Sequence, residues 1–273
     1  TNVPQLAIIH DLNFEHNPTD IPPNALKYLK KHFPLFAKKA NRICTVSHFS
    51  KEDIVSTYSI AQSKIDVTYN GAAECFQPIS QEEKKKIQRQ YSEGKPFILF
   101  VGALHKRKNI QHLLDAFKLL KKSTHHAHHL VIVGEKLWSE QHFQIPTEIK
   151  ESIHFTGHLH IDELAKITAS AELMAFVSYF EGFGIPLLEA MQSGTPVLAG
   201  NKTSLPEIGG DAVHYCDPFS VEDIAEQLNH LLSNPDLLVD LSKRGLQRAK
   251  DFSWDKTADE LWKSFVEMMS KAK

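Results

Sequence analysis

Residues 179–196 read Tyr-Phe-Glu-Gly-Phe-Gly-Ile-Pro-Leu-Leu-Glu-Ala-Met-Gln-Ser-Gly-Thr-Pro. Gly182 and Gly184 lack the Cβ atoms that would hold a backbone away from a ligand. Pro186 suits the first turn of a helix, where its missing N–H would be unpaired anyway, and Gly194 followed by Pro196 marks the stop. An apolar run at 173–178 precedes this turn and helix, and another follows at 196–199. Strand, glycine turn, helix and strand in that order build a parallel sheet covered by helices.

The same alternation extends in both directions. Apolar runs near 97–101, 130–133, 153–156, 173–178, 196–199 and 212–215 alternate with helical patterns, which predicts a complete doubly wound domain. Upstream, Gln5 to Ile9, Arg42 to Val46 and Lys64 to Thr68 read as strands. Asn24 to Lys39 reads as a helix interrupted at Pro34, and Lys51 to Tyr58 as a second helix. Residues 74–95, with Pro78, a charge-rich helical patch and Gly94-Lys95-Pro96, form the expected linker. The chain thus divides into 1–78 and 79–253, two Rossmann-like α/β units of which the first has too few strands to be complete. A last helix, 254–270, places Trp254, Ala258, Leu261, Trp262, Phe265 and Met268 on an apolar face.

The quoted segment also carries charge. Free N–H groups and the positive dipole end at 183 to 186 make an anion site, with Glu181 before it and Glu189 about one turn inside. A phosphate cradle flanked by two acids suits a sugar nucleotide, whose hydroxyls take the acids. The strand Phe97 to Val101 runs into Gly102 and then Arg107-Lys108, two cations at a strand-to-helix turn where a diphosphate can be held. Asn109 reads as the N-cap of the next helix, whose buried stripe is Ile110, Leu113, Leu114 and Phe117. The plainer alternatives are two solvated cations, an exposed Glu189 and a Glu181 that only faces the helix dipole; they leave the glycine pair unexplained. Glycoside hydrolysis also uses two carboxylates, but it has no diphosphate to hold. His10-Asp11 ends a strand where open α/β sheets place ligand contacts. Glu207 reads as a capping acid for Ser204.

Glu181-x7-Glu189 resembles the signature of the family 4 retaining glycosyltransferases, also called glycosyltransferase group 1. Phe97 to Gly102, Arg107 to Asn109, Phe155 to Gly157, Leu205 to Glu207 and Asp217-Pro218 follow the order and spacing of that family's donor domain. His10-Asp11, Thr45 to Ser47 and Asn70-Gly71 look like the later half of its acceptor domain, so the resemblance covers nearly all 273 residues. It implies the GT-B fold, two Rossmann-like doubly wound domains across a cleft, the first lacking its opening strands. In the family the final helix crosses back onto that first domain.

The resemblance implies transfer of a hexose, with retention, from a nucleotide diphosphate sugar to a saccharide or lipid-linked acceptor, in polysaccharide or glycoconjugate biosynthesis. His10 and Glu181 would be the catalytic pair. Gly102, Arg107, Lys108, Gly182, Phe183, Gly184, Ile185 and Glu189 would hold the donor, Glu189 on the ribose and the amides of Phe183 to Ile185 on sugar and phosphate. Many members carry Arg directly after the glycine where this chain has Ala103, so the diphosphate rests on Arg107 and Lys108. Arg-Lys-Asn is most similar to the mannosyltransferase-type members, which makes GDP-mannose the expected donor. Asp-x-Asp does not occur; no metal or cofactor is expected, with helix dipole and basic side chains offsetting the leaving charge. The rival readings are a nucleotide-sugar epimerase of similar architecture and a nucleotide-sugar-binding fragment without turnover.

A net charge of −2 gives no footprint for nucleic acid. Basic runs at Lys27 to Lys39, Lys84 to Lys86 and Lys121-Lys122 read as solvated faces, with an anionic membrane as the alternative partner. Three scattered cysteines favour a reducing compartment, hence the cytoplasm or its membrane face. Among sixteen histidines, His125-His126 and His128-His129 read as a solvated loop rather than a metal site. No apolar run reaches the roughly 18 residues of a membrane span. Thr1 in place of an initiator methionine suggests a processed or truncated product. Apolar surface left uncovered around Gln5 to Ile9 and Arg42 to Val46 invites self-association.

Overall fold

The computed structural model describes residues 3–135 and 144–271. Thr1 lies outside them. So do residues 136–143, where part of a helix between the strands near 130 and 153 was expected; the described remainder of that connection holds a 3-10 turn at Thr147–Ser152.

Two parallel sheets organise the chain. β1 (Leu6–Ile8), β2 (Arg42–Thr45) and β3 (Ile65–Val67) form a three-stranded sheet in that order. β4 (Phe97–Val101), β5 (His129–Val133), β6 (Ile153–Gly157), β7 (Leu173–Phe176), β8 (Val197–Gly200) and β9 (His214–Cys216) form a six-stranded sheet in the order β6-β5-β4-β7-β8-β9. The chain therefore winds outward on one side of β4 and then returns to start again beside it at β7. β4 is apolar at every position because helices cover both faces. Ile98 and Phe100 meet the Ile110, Leu113, Leu114 and Phe117 stripe of the helix Ile110–Ser123. Phe97, Leu99 and Val101 meet Leu187, Leu188 and Met191 of the helix Ile185–Gln192. Serine starts several helices: the hydroxyls of Ser47, Ser80 and Ser220 each accept the N–H three residues on.

Several expectations shift. The helix Pro23–Lys39 runs through Pro34 without a break; the carbonyl that Pro34 leaves unbonded belongs to exposed Lys30, where water can replace the lost donor. The next helix starts at His48, three residues early, because Ser47 caps it. The linker contains a regular helix, Gln81–Ser92, whose Ile87 joins the core of the six-stranded unit. His128 and His129 are buried rather than solvated, since β5 begins at His129. His129 Nδ1 lies 2.7 Å from His154 Nε2 on β6, and His128 lies 3.3 Å from Glu172.

The last helix, Trp254–Lys271, packs on the three-stranded sheet by only part of the expected face, the side of Leu261 and Met268. Thr257, Ser264 and Met268 are buried, while Trp254, Trp262 and Phe265 are exposed. Polar partners set this rotation. Ser264 donates to Asp66 at 2.6 Å, Glu267 pairs with Arg42 at 2.7 Å, and Thr257 donates to the Tyr69 carbonyl. The chain crosses between the two halves near residues 70 and 253, and these crossings touch: a Cβ on Gly71 would fall 2.4 Å from the Trp254 nitrogen.

Candidate active site

Because strand order reverses between β4 and β7, the loops leaving them diverge and open a crevice at their carboxyl ends. β4 leads through Gly102, at φ +151°, into the 3-10 turn Lys106–Lys108. β7 leads through Tyr179 to Gly184 into the helix Ile185–Gln192. The two loops meet in one ion triad. Arg107 Nη1 donates to Glu181 Oε2 at 2.6 Å and Lys108 Nζ donates to Oε1 at 2.6 Å. Arg107 also donates to the Phe180 carbonyl at 3.0 Å, and the Lys108 ammonium lies 4.8 Å from the centre of the Phe176 ring.

Glu181 is only 5 % exposed. Burial alone would raise its pKa, but Lys108 and Arg107 together outweigh that and hold it at about 2. The triad keeps one positive charge in excess. Two cations and a carboxylate in direct contact are a closed unit, which neither of the expected separate roles foretold.

The Glu181 loop is fixed through its main chain as well. Thr203 Oγ1 accepts the Glu181 N–H at 3.0 Å, and Ser204 Oγ donates to the Glu181 carbonyl at 2.9 Å. From the three-stranded side, Ser47 Oγ donates to the Gly182 carbonyl at 2.6 Å and Ser50 Oγ to the His10 carbonyl at 3.0 Å. Gly182 does not make room for a ligand, as the sequence suggested. A Cβ there would stand 2.4 Å from the His10 carbonyl oxygen, so the missing side chain admits the main chain of the opposite half. Gly184 adopts φ +100° and opens the helix, leaving the amides of Phe183 and Ile185 without partners among the described residues.

Glu189 sits one turn inside that helix, half-buried, and no side chain among the described residues holds its carboxylate. Burial lifts its pKa to about 7. His10 is exposed at the end of β1 on the facing wall. It shares with Arg107 and Lys108 a cleft of about 360 Å³, whose other wall is apolar, with Ile8, Leu29 and Phe33.

Two further sequence readings change. Asn109 occupies the N-cap position at φ 61° but makes no side-chain cap; its Nδ2 donates instead to Val177 O at 3.2 Å and Pro218 O at 2.6 Å, tying β7 to the loop after β9. Glu207 does not serve Ser204. Its carboxylate accepts the N–H groups of His48 and Phe49 at 2.8 and 2.9 Å and the Tyr69 hydroxyl at 2.8 Å, all from the other half. The sequence also gave no sign of a second bridge. Tyr179 donates to buried Asp20 at 2.6 Å, Lys106 to the Thr19 carbonyl at 3.3 Å, and the His16 ring stacks on Phe180 at 5.5 Å. Those partners lie far apart along the chain, where no local pattern can announce them.

The chain is similar to known proteins over almost its whole length. It is 31% identical over 254 residues to the O-antigen chain mannosyltransferase B of Escherichia coli, a match covering 92% of this chain and 67% of that protein. It is 29% identical to the MMP alpha-(1->4)-mannosyltransferase of Mycolicibacterium hassiacum, covering 81% of this chain and 53% of that one. Among solved structures, the Anabaena protein HepE in complex with UDP and glucose superposes with a TM-score of 0.84 at 19% identity, over 97% of this chain and 72% of its own. Sucrose-phosphate synthase from Thermosynechococcus elongatus gives 0.78 at 19% identity, over 97% and 68%. These two likenesses are of fold. The profile of the glycosyl transferases group 1 matches residues 81–248, which hold the ion triad and the helix beside it. The chain thus belongs to the glycosyl transferases group 1 and is a glycosyltransferase of the GT-B fold.

Proposed function

We propose that this chain forms the donor side and part of the acceptor side of a retaining hexosyltransferase that takes a nucleotide diphosphate sugar, GDP-mannose first. The observation that carries the reading is the buried Glu181 held at the strand reversal by Arg107 and Lys108, two cations that line one cleft with His10. The excess charge of the triad and the free amides of Phe183 and Ile185 offset charge on a leaving diphosphate, in place of a metal. The bond from the sugar's anomeric carbon to the diphosphate oxygen breaks as the acceptor oxygen bonds to that carbon, and the acceptor's proton passes to the leaving phosphate. This front-face course is favoured over a covalent glycosyl-enzyme, because both Glu181 carboxylate oxygens are already engaged, by Arg107 and Lys108 at 2.6 Å each. Mannosyltransferases among the relatives support the donor sugar, and their role in O-antigen chains supports a saccharide acceptor.

Product analysis tests this. Incubated with GDP-mannose and an oligosaccharide or polyprenyl-linked acceptor, the protein should lengthen the acceptor with the anomeric configuration kept. A free altered sugar formed without acceptor would make it an epimerase, and binding without isotope exchange would make it a binding fragment. Charge-assisted bonds contribute roughly 1.5–3 kcal/mol each, so Arg107→Ala or Lys108→Ala should weaken nucleoside diphosphate affinity about 10- to 150-fold by calorimetry.

Glu189 supplies a pH signature. As a carboxyl whose folded pKa is raised, it contributes stability at acid pH that is lost as pH rises through about 7. If it accepts ribose hydroxyls, the bound form is ionised. Nucleotide affinity should then fall about tenfold per pH unit below about 7, and Glu189→Gln should flatten that slope. An unchanged slope in the variant removes Glu189 from the ribose.

The helix Pro23–Lys39 bears Lys27, Lys30, Lys31, Lys38 and Lys39 and no acid, and it exposes Tyr28, Leu35 and Phe36. That pattern suits an anionic membrane, and Leu29 and Phe33 of the same helix line the cleft. Among the described residues no helix is long and apolar enough to cross a membrane. Vesicles containing phosphatidylglycerol should sediment the protein and neutral vesicles should not; Lys27→Gln with Lys31→Gln should reduce that binding, and equal sedimentation with both vesicles would rule the surface out.

A further inference from the structure

The N-terminus of the helix His48–Tyr58 is a ready acceptor of negative charge, and a carboxylate from the other half of the molecule fills it. Glu207 takes the amides of His48 and Phe49 and the Tyr69 hydroxyl at once. Its own main chain is braced from behind, because Arg248 donates to the carbonyls of Glu207 at 2.8 Å and Ile208 at 3.0 Å. Immediately before the short helix Leu205–Gly209 that bears Glu207 lie Thr203 and Ser204, which hold the N–H and carbonyl of Glu181. An unbroken path thus runs from Glu181 through residues 203–207 to the three-stranded half, whose Ser47, the residue before His48, grips Gly182.

We infer that Glu207 is a positioning residue, a latch that holds the two halves closed and so sets Glu181 and its cations against the His10 wall. It touches neither donor nor acceptor. The inference rests on the transfer reading for its kinetic consequence, but not for its structural one. Opening the halves breaks the contacts to His48, Phe49 and Tyr69 while leaving the donor loops of the six-stranded half intact.

The test uses Glu207→Gln, which keeps size and loses charge, Tyr69→Phe, which removes one bond from the opposite side, and the two combined. Small-angle scattering of the nucleotide-bound chain should show a larger radius for Glu207→Gln than for the parent. Nucleotide affinity should stay within about twofold, because the phosphate-binding groups are untouched. Where the parent transfers sugar, kcat should fall about 10- to 100-fold, the effect of one or two lost charge-assisted bonds, with the donor KM held. Tyr69→Phe should add little once Glu207 is already glutamine, since the two act through one contact. An unchanged radius in Glu207→Gln, or strictly additive effects of the two changes, would overturn the latch. Absence of transfer in the parent would instead count against the functional reading and leave the scattering result to decide the latch.

Discussion

Glu181→Gln should cut sugar transfer by about 100- to 1,000-fold, the scale of losing one aimed charge at a reacting centre. The substitution leaves Arg107 and Lys108 facing each other across a neutral amide in a buried site. Breaking such a pair by removing one partner costs about 3–5 kcal/mol of folding stability. The sign with pH is fixed. A carboxyl whose folded pKa is depressed contributes stability that is present above its unfolded value and lost as pH falls through the folded one. For Glu181 that loss runs from the ordinary carboxyl value of 4.5 down to about 2, and urea midpoints of the variant should lack it. Free nucleoside diphosphate, by contrast, should bind as tightly as before or more tightly, because both cations are released from their internal partner. A variant that transfers at the parent rate, or whose acid limb matches the parent's, would remove Glu181 from the centre of the site.

Gly182→Ala should be nearly as severe by a different route. The added Cβ meets the His10 carbonyl oxygen at 2.4 Å and the Asp11 Cβ at 2.9 Å. The first of these is main chain, so no rotamer relieves the clash, and the halves must separate. Misplacing reacting groups by about 1 Å can cost about 100-fold in rate. Transfer should fall by at least about that much, while nucleotide affinity stays within a few-fold. Methyl-bearing protein with parent turnover would mean that the two halves need not touch at this point during catalysis.

The core of the six-stranded unit was legible because β4 and β7 are apolar at every position and the helices beside them keep a clean 3.6-residue stripe. The residues of the triad were legible one by one, since Arg107, Lys108 and Glu181 each stand in a loop that leaves the carboxyl end of a strand. Their contact was not. Arg107 and Glu181 are 74 positions apart, and only the reversal of strand order brings their loops together. Glu207 was misread for the same reason, because a local cap three residues away is visible in sequence and a partner helix 159 positions away is not. The rotation of the last helix failed on chemistry rather than distance. Counting apolar residues favoured the Trp262 and Phe265 side, whereas Arg42 on β2 and Asp66 on β3 required the side bearing Ser264 and Glu267.

The contact of Gly71 with Trp254 governs how the molecule can move. Two strands of chain pass from one half to the other, and at this point they are pressed together with no side chain between them. A door hung on one pin swings but does not slide. Relative motion is thereby reduced to a rotation about that point, and any atom's excursion grows with its distance from it. Glu207, bonded to Tyr69 two residues from Gly71, acts on a short lever. The pairs Tyr179–Asp20 and Lys106–Thr19 bridge the halves through residues that make no bond at the pin. Slackening at Glu207 is therefore felt as a swing of one half against the other, greatest wherever the cleft lies farthest from the pin.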